Sequence, residues 1–275
     1  MRARAAIAAT LAGVMLSAGP AAADPWEPAA GHGTVKPMIR LFDTQTAFPA
    51  SGWSSTQVAG PTARETQLRV TGTHGLGHGF ALEYDLRYGF LSKIRRKGKT
   101  DLASYAHGPR DQELGLSYGL HQGRTSAVAV TVNIVLPTGS AATSPALGTG
   151  RWAVEPDLEL GRRWDHGHVS LTAKLGPRIF LDGLSEQVRG TLTLGLTPLP
   201  RLHLSGEAFF SRTAQNRTRL PVAAGGERYD VLRLGATISY RVHGAIAPFL
   251  GYERYVAGQG IHAGERFVLG VAISY

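Results

Sequence analysis

From Phe80 to Phe90 the chain changes character at every step. Phe80, Leu82, Tyr84, Leu86, Tyr88 and Phe90 alternate with Ala81, Glu83, Asp85, Arg87 and Gly89. A period of two belongs to an extended strand, whose successive side chains point to opposite faces, and a helix cannot satisfy it. The same pattern recurs across residues 111–121, 125–136 and 151–163, and then at 167–180, 187–197, 201–212, 228–241, 245–255 and 265–275. Residues 34–42 and 65–72 are less regular but read the same way. Many of these segments run to roughly 11 to 14 residues, longer than the ~5 to 6 of soluble strands and close to the ~9 to 11 that cross a bilayer at a tilt.

Such a chain needs somewhere to put a wide apolar face. A soluble sandwich would bury it against a second sheet, whereas a membrane barrel presents it to lipid and turns the charged face inward. A mean hydropathy of −0.07 excludes a bundle of spanning helices but not spanning strands, in which only alternate residues meet lipid. The connections also sort by length. Short links at 73–77, 122–124, 164–166, 198–200 and 242–244 alternate with longer ones at 43–64, 91–110, 137–150, 181–186, 213–227 and 256–264. This is the pattern of a barrel whose two ends differ. The expectation is an all-β, closed antiparallel transmembrane β-barrel of about twelve strands, with both termini periplasmic.

At the start of the chain, Arg2 and Arg4 precede a short apolar run, and Ala21-Ala22-Ala23 supplies a small-residue cleavage pattern. Residues 1–23 therefore read as a secretory signal peptide, residues 24–33 as a short periplasmic segment and residues 34–275 as the barrel. The sequence ends in FVLGVAISY, with Phe267, Leu269, Val271, Ile273 and Tyr275 in one register. A strand at the chain end leaves an edge that pairing with the first strand would satisfy, which closes a barrel. It also resembles the C-terminal signature by which the barrel-assembly machinery of Gram-negative bacteria recognises outer-membrane β-barrels. The chain has no cysteine, so disulfides and thiolate metal sites are excluded.

Assigning the apolar register to lipid puts Glu83, Asp85, Arg87, Glu113, Glu155, Asp157, Glu159, Arg163, Lys174, Arg178, Glu207, Arg233 and Glu253 on the lumen side. Ionised groups facing hydrocarbon are costly, so their inward register agrees with the strand assignment. Acids opposite bases could set a transverse field in a water-filled channel, or could pair and fill a narrow interior. His168 and Ser170 also share an inward register next to Glu155, Asp157 and Glu159, which leaves a barrel enzyme acting on lipid or lipopolysaccharide as an alternative. A non-conducting structural barrel is a third reading. The pairs His74 with His78 and His166 with His168 stand at turns, and no metal site, cofactor motif or nucleotide-binding loop is expected. A formal charge of +9 suits nucleic acid or an acidic lipopolysaccharide surface. The run Lys93, Arg95, Arg96, Lys97 and Lys99 directly follows a spanning strand, so lipopolysaccharide phosphate is its expected partner and nucleic acid is not.

Between residues 112 and 163, Leu136-Pro137-Thr138-Gly139 closes one strand and Leu147-Gly148-Thr149-Gly150 leads into the next. Pro137 ends a ladder by lacking a donor, and Gly139, Gly148 and Gly150 permit sharp turns in a loop that could fold into the barrel mouth as a constriction. These two steps, their spacing and the aromatic terminal strand resemble the meta-pathway phenol-degradation family of outer-membrane proteins. The resemblance implies an outer-membrane channel or uptake protein for small organic molecules, including aromatic or hydrophobic ones. Outer-membrane lipid, lipopolysaccharide and, through Phe267 to Tyr275, the assembly machinery are its other expected partners.

Overall fold

The computed structural model describes residues 25–49, 51–97, 100–181, 186–213 and 230–275. The proposed signal peptide lies outside the described residues, as do Lys99 and the side chains of Arg95, Arg96 and Lys97. Among the described residues thirteen strands form one antiparallel sheet that closes on itself. They are β1 (Gly33–Ala47), β2 (Val58–Gly77), β3 (Phe80–Lys97), β4 (Thr100–Pro109), β5 (Gln112–Gln122), β6 (Ser126–Leu136), β7 (Ala153–Trp164), β8 (Val169–Phe180), β9 (Gln187–Leu199), β10 (Leu202–Thr213), β11 (Asp230–Tyr240), β12 (Ile246–Gln259) and β13 (His262–Ser274). β4 and β5 lie end to end along β3, β4 against Tyr88 to Lys97 and β5 against Phe80 to Asp85. They fill one position, so the wall is a closed barrel of twelve strands.

Closure occurs where the terminal strand meets the first. β13 pairs with β1 along its length, with Leu41 opposite Phe267 and Ile39 opposite Leu269. Gly33 and Tyr275 exchange both backbone hydrogen bonds, at 3.1 and 3.0 Å, and the Tyr275 hydroxyl lies 3.0 Å from His74 Nδ1 on β2. The exposed edge expected of a chain ending in a strand is thereby removed.

The two ends of the barrel differ. At the terminal end, where β1 begins and β13 stops, the turns are tight. His78 and Gly79 turn β2 into β3 with φ of 53° and 82°, the conformation of a two-residue hairpin turn. A single 3-10 turn, Asp165–Gly167, joins β7 to β8. At the opposite, loop end lie residues 48–49, 51–57 and 137–152 and the paired parts of β3 and β4 from Tyr88 to Lys97 and Thr100 to Pro109, with β2 running beside β3 as far as Ile94.

Outward side chains form an apolar belt that includes Ile39, Leu41, Leu114, Leu116, Leu158, Leu192, Leu234 and Phe267, with Leu269 61% exposed. Above it, toward the loop end, four neighbouring strands carry an outward row of charge. Arg64 on β2 bonds Asp43 on β1 at 3.1 Å, Asp43 sits opposite Glu265 on β13, and Arg254 on β12 lies 3.9 Å from Glu265. Outward charge is thus present at the rim, beyond the lipid belt, and the inward rule holds within it. The segments 43–64 and 91–110, read from sequence as loops, are largely strand, and β12 and β13 meet in a tight turn at Gly260 and Ile261. Alternating hydropathy stops where lipid stops, while backbone pairing needs no particular side chain and continues into water.

Candidate functional site in the barrel lumen

Among the described residues most of the inward ionisable side chains assemble into three groups, with Arg110 and Glu65 forming a separate ion pair. Nearest the terminal end, Lys174 on β8 meets Glu159 at 2.7 Å and Asp157 at 3.4 Å on β7, and reaches Glu83 on β3 at 3.3 Å. Strands β5, β6 and β7 separate β8 from β3, so this last contact is a chord across the lumen. Thr131 and Asn133 of β6 donate to Glu159 and Asp157 at 2.8 and 2.9 Å, which fixes both carboxylates. One layer further, Arg178 donates to Glu113 and Glu155, each at 2.7 Å, and Arg189 donates to Glu155 at 2.7 Å. Arg87 lies 3.1 Å from Glu113 and also bonds Asp85, to which Arg69 donates at 2.7 Å. The third group centres on Glu253 of β12, which faces Arg40 at 2.8 Å, Arg266 at 3.2 Å and Arg233 at 3.3 Å, with Arg233 also 3.0 Å from Glu207.

The sequence-derived lumen residues therefore converge, except Arg163, which lies toward the terminal end with its guanidinium 3.6 Å above the Trp26 ring. Removing one partner from such a buried set leaves a charge uncompensated.

The wall formed by β1, β10, β11, β12 and β13 is different. Toward the terminal end it presents Met38, Ala247, Phe249, Val268 and Ala272 to the interior. Toward the loop end Phe42, Phe209 and Tyr255 point inward, and Phe48 of the 48–57 loop is buried against Val231, Tyr255 and Ala263. Phe48 is pinned there by its N–H donating to the Ile261 carbonyl at 2.9 Å and by Gly260 donating to the Pro49 carbonyl at 2.8 Å. Arginines lie over these rings: Arg233 and Arg189 are 4.8 and 5.2 Å from the centroid of Phe209, and Arg266 is 5.5 Å from that of Phe42. The lumen thus has a charged flank and an apolar one, joined by guanidinium groups over aromatic faces.

Sequence reasoning missed this apolar flank because it assigned apolar residues to lipid. The signal was present in strands whose two registers are both apolar: Leu41-Phe42, Phe209-Phe210 and Phe267-Val268-Leu269 cannot all face outward.

The loop that holds both glycine-containing motifs is organised by Asp111, another residue the sequence did not reveal. Its carboxylate accepts from the amides of Gly139 at 3.1 Å and Thr149 at 2.7 Å and from the Thr149 hydroxyl at 2.7 Å. A Cβ on Gly148 would lie 2.4 Å from Asp111 Oδ1, and one on Gly139 2.9 Å from it, so the carboxylate occupies the space that other residues would fill. Thr138 donates to the Arg110 carbonyl at 2.6 Å, and Arg110 donates to the Leu147 carbonyl at 2.9 Å. Pro137 leads into this loop and Gly150, at φ 65°, leads out. The described contacts tie the loop to the β4–β5 junction.

The side chains named for the enzyme alternative lie apart along β7, β8 and their turn. Ser170 pairs across the sheet with Arg163, while Glu159 pairs with Lys174 four residues further along β8, and His168 is in the turn beside Asp165 at 3.4 Å. Among the described residues no group of three or more His, Asp or Glu side chains comes together to hold a metal ion.

The barrel superposes on an outer membrane channel from Pseudomonas putida F1 with a TM-score of 0.69 at 14% identity, covering 94% of this chain and 100% of that one. The KdgM porin matches at a TM-score of 0.53 and 12% identity, covering 88% and 99% of the two chains, and the NanC porin at 0.50 and 11%, covering 88% and 98%. No curated protein matches the chain in sequence. A closed barrel with an apolar belt and this set of neighbours has the fold of a bacterial outer-membrane β-barrel. The sequence profile described as "Putative MetA-pathway of phenol degradation" matches residues 43–267, most of the chain, and the protein belongs to that family.

Proposed function

We propose that the protein is a narrow channel for small organic solutes, aromatic ones and their anions in particular, with both termini on the periplasmic side after removal of residues 1–23. The observation that carries this reading is the two-sided lumen. A solute with a ring and a polar or anionic group would meet apolar surface on the β1 and β10–β13 flank and guanidinium donors of Arg233, Arg266 and Arg189 beside it. In the Glu253 group three arginines face that carboxylate and one of them also meets Glu207, so the region favours anions. Glu83, Asp85, Arg87, Glu113, Glu155, Asp157, Glu159, Lys174 and Arg178 would line the other flank and hold the width of the path. The Asp111-anchored loop from Pro137 to Gly150 would shape the entrance. Lys93 and the cationic residues after it would meet lipopolysaccharide phosphate, and Phe267 to Tyr275 would be read by the assembly machinery.

The test is current through single barrels, refolded from residues 24–275, in a planar bilayer with benzoate, cyclohexanecarboxylate or chloride as the anion. Benzoate is expected to carry current and to slow chloride more than cyclohexanecarboxylate does. Arg233→Gln and Phe209→Ala should each reduce that difference about tenfold, the factor that a loss of ~1.4 kcal/mol of binding gives. Silence of the barrel toward every ion and solute would overturn the channel reading.

A further inference from the structure

The outward register of β7 breaks its own rule near the terminal end. Leu158, Leu160 and Trp164 face outward and are exposed, and Arg162 shares their register, exposed between the last two. Its partners across the sheet, Ser126 on β6 and Leu171 on β8, carry no charge. The acid nearest in sequence, Asp165, is turned to His168 at 3.4 Å, and among the described residues Arg162 meets no carboxylate. A charge in a lipid-facing register is tolerated where its stem lies along apolar neighbours and its head reaches the headgroups. Outward aromatic residues mark that level. Trp164 and Tyr240 end β7 and β11, and Tyr275 follows β13.

The β5–β6 turn brings a second guanidinium to the same corner. The Thr125 carbonyl accepts from the Arg163 amide at 2.8 Å, which ties the turn to the end of β7. Arg124, just before Thr125, is exposed and also meets no carboxylate among the described residues. Between Gly119 and His121 the ladder of β5 slips by one residue, so that His121 falls opposite Val128, itself the partner of Leu160. Such bulges re-aim a side chain, and here the ring reaches the outer face with Nε2 3.3 Å from the Ser126 hydroxyl.

We infer that the outer face formed by His121, Arg124, Ser126, Arg162 and Trp164 is a binding site for an anionic phospholipid. The headgroup phosphate lies on the guanidinium groups of Arg124 and Arg162, which donate charge-assisted hydrogen bonds, and the acyl chains run along Leu120 and Leu160 into the apolar belt. Two guanidinium groups without carboxylate partners favour a phosphate whose headgroup has no ammonium of its own. Lipid binding at this corner goes beyond the channel reading and does not depend on whether the barrel conducts.

The chain has four tryptophans, and two of them flank β7: Trp164 at the site and Trp152 at the loop end, 44% and 49% exposed. In refolded barrels carrying Trp26→Phe and Trp53→Phe, with Trp152→Phe or Trp164→Phe as the third change, one reporter remains. Its quenching is read in phosphatidylcholine vesicles doped with lipid brominated near the head of the acyl chains. Brominated phosphatidylglycerol is expected to associate at Trp164 about tenfold more strongly than brominated phosphatidylcholine, the factor that ~1.4 kcal/mol gives, and to show no such preference at Trp152. Arg124→Gln and Arg162→Gln should each weaken the preference at Trp164 and together remove it. Arg162→Lys, which keeps the charge and loses the planar fork, should retain part of it. Heat-shifted gel mobility shows which variants are folded. Equal association of the two lipids at Trp164, the same preference at both tryptophans, or a preference that survives the double substitution would overturn the inference. Inorganic phosphate should not displace the lipid; if it does, the site is one for free anions and the assignment to a phospholipid fails.

Discussion

Among single residues Asp111 does the most to shape the loop end. One carboxylate satisfies three donors from Gly139 and Thr149, and two glycines leave it room. Replacing it with alanine strands two backbone amides, and each buried donor left unpaired costs about 1 to 3 kcal/mol. Asp111→Ala is expected to keep the barrel, as read by heat-shifted gel mobility, while making residues 137–150 a new site of protease cleavage. The glycine-containing motifs were legible as turns. Their purpose was not, because the residue that explains them sits 28 positions before Gly139, on the far side of a strand pair. The inward Phe42, Phe209 and Tyr255 were hidden for a related reason: an apolar side chain fits lipid and an apolar flank of a lumen equally well.

For whole strands, the hydropathy pattern locates the part in lipid better than it locates the ends. β3 keeps its alternation to Phe90 and continues as paired strand to Lys97, with β4 returning alongside. Leu116 on β5 and Tyr105 on β4 are both outward, 49% and 74% exposed, yet only Leu116 falls within the apolar belt, since Tyr105 pairs with Ser92 and Ser92 with Arg64 of the outward charge row. An arginine in place of a lipid-facing residue near the bilayer midplane costs about 2 to 4 kcal/mol, falling toward zero at the interface. Leu116→Arg should therefore destabilise the barrel strongly in urea titrations of refolded protein in vesicles, and Tyr105→Arg should be nearly neutral. Equal costs would mean that the β3–β4 hairpin lies in lipid.

As a whole, the molecule is stable because its sheet has no free edge. The β13 pairing with β1 joins residues more than two hundred positions apart and supplies the last ladder. Deleting the final five residues, Val271 to Tyr275, removes the partners of Val35 and Thr34 and the Gly33 seam. The truncated chain is expected to lose the compact, detergent-resistant form on unheated gels, whereas Tyr275→Phe, which keeps the backbone pairing, should retain it. The ion pairs across the lumen also belong to this scale, since Lys174 and Glu83 meet only when the cylinder is closed.

The sequence by itself determined that the chain is extended, which register meets lipid, which charges turn inward and that the last strand must find a partner. Each of these follows from a period of two and from the cost of exposing charge to hydrocarbon, which are properties of neighbouring residues. The tertiary structure alone decided which inward residues meet across the hollow, that one flank of the lumen is apolar and that Asp111 holds the loop. Those facts depend on bringing distant strands around a circle, and strand alternation says which side a residue faces but not what it faces there.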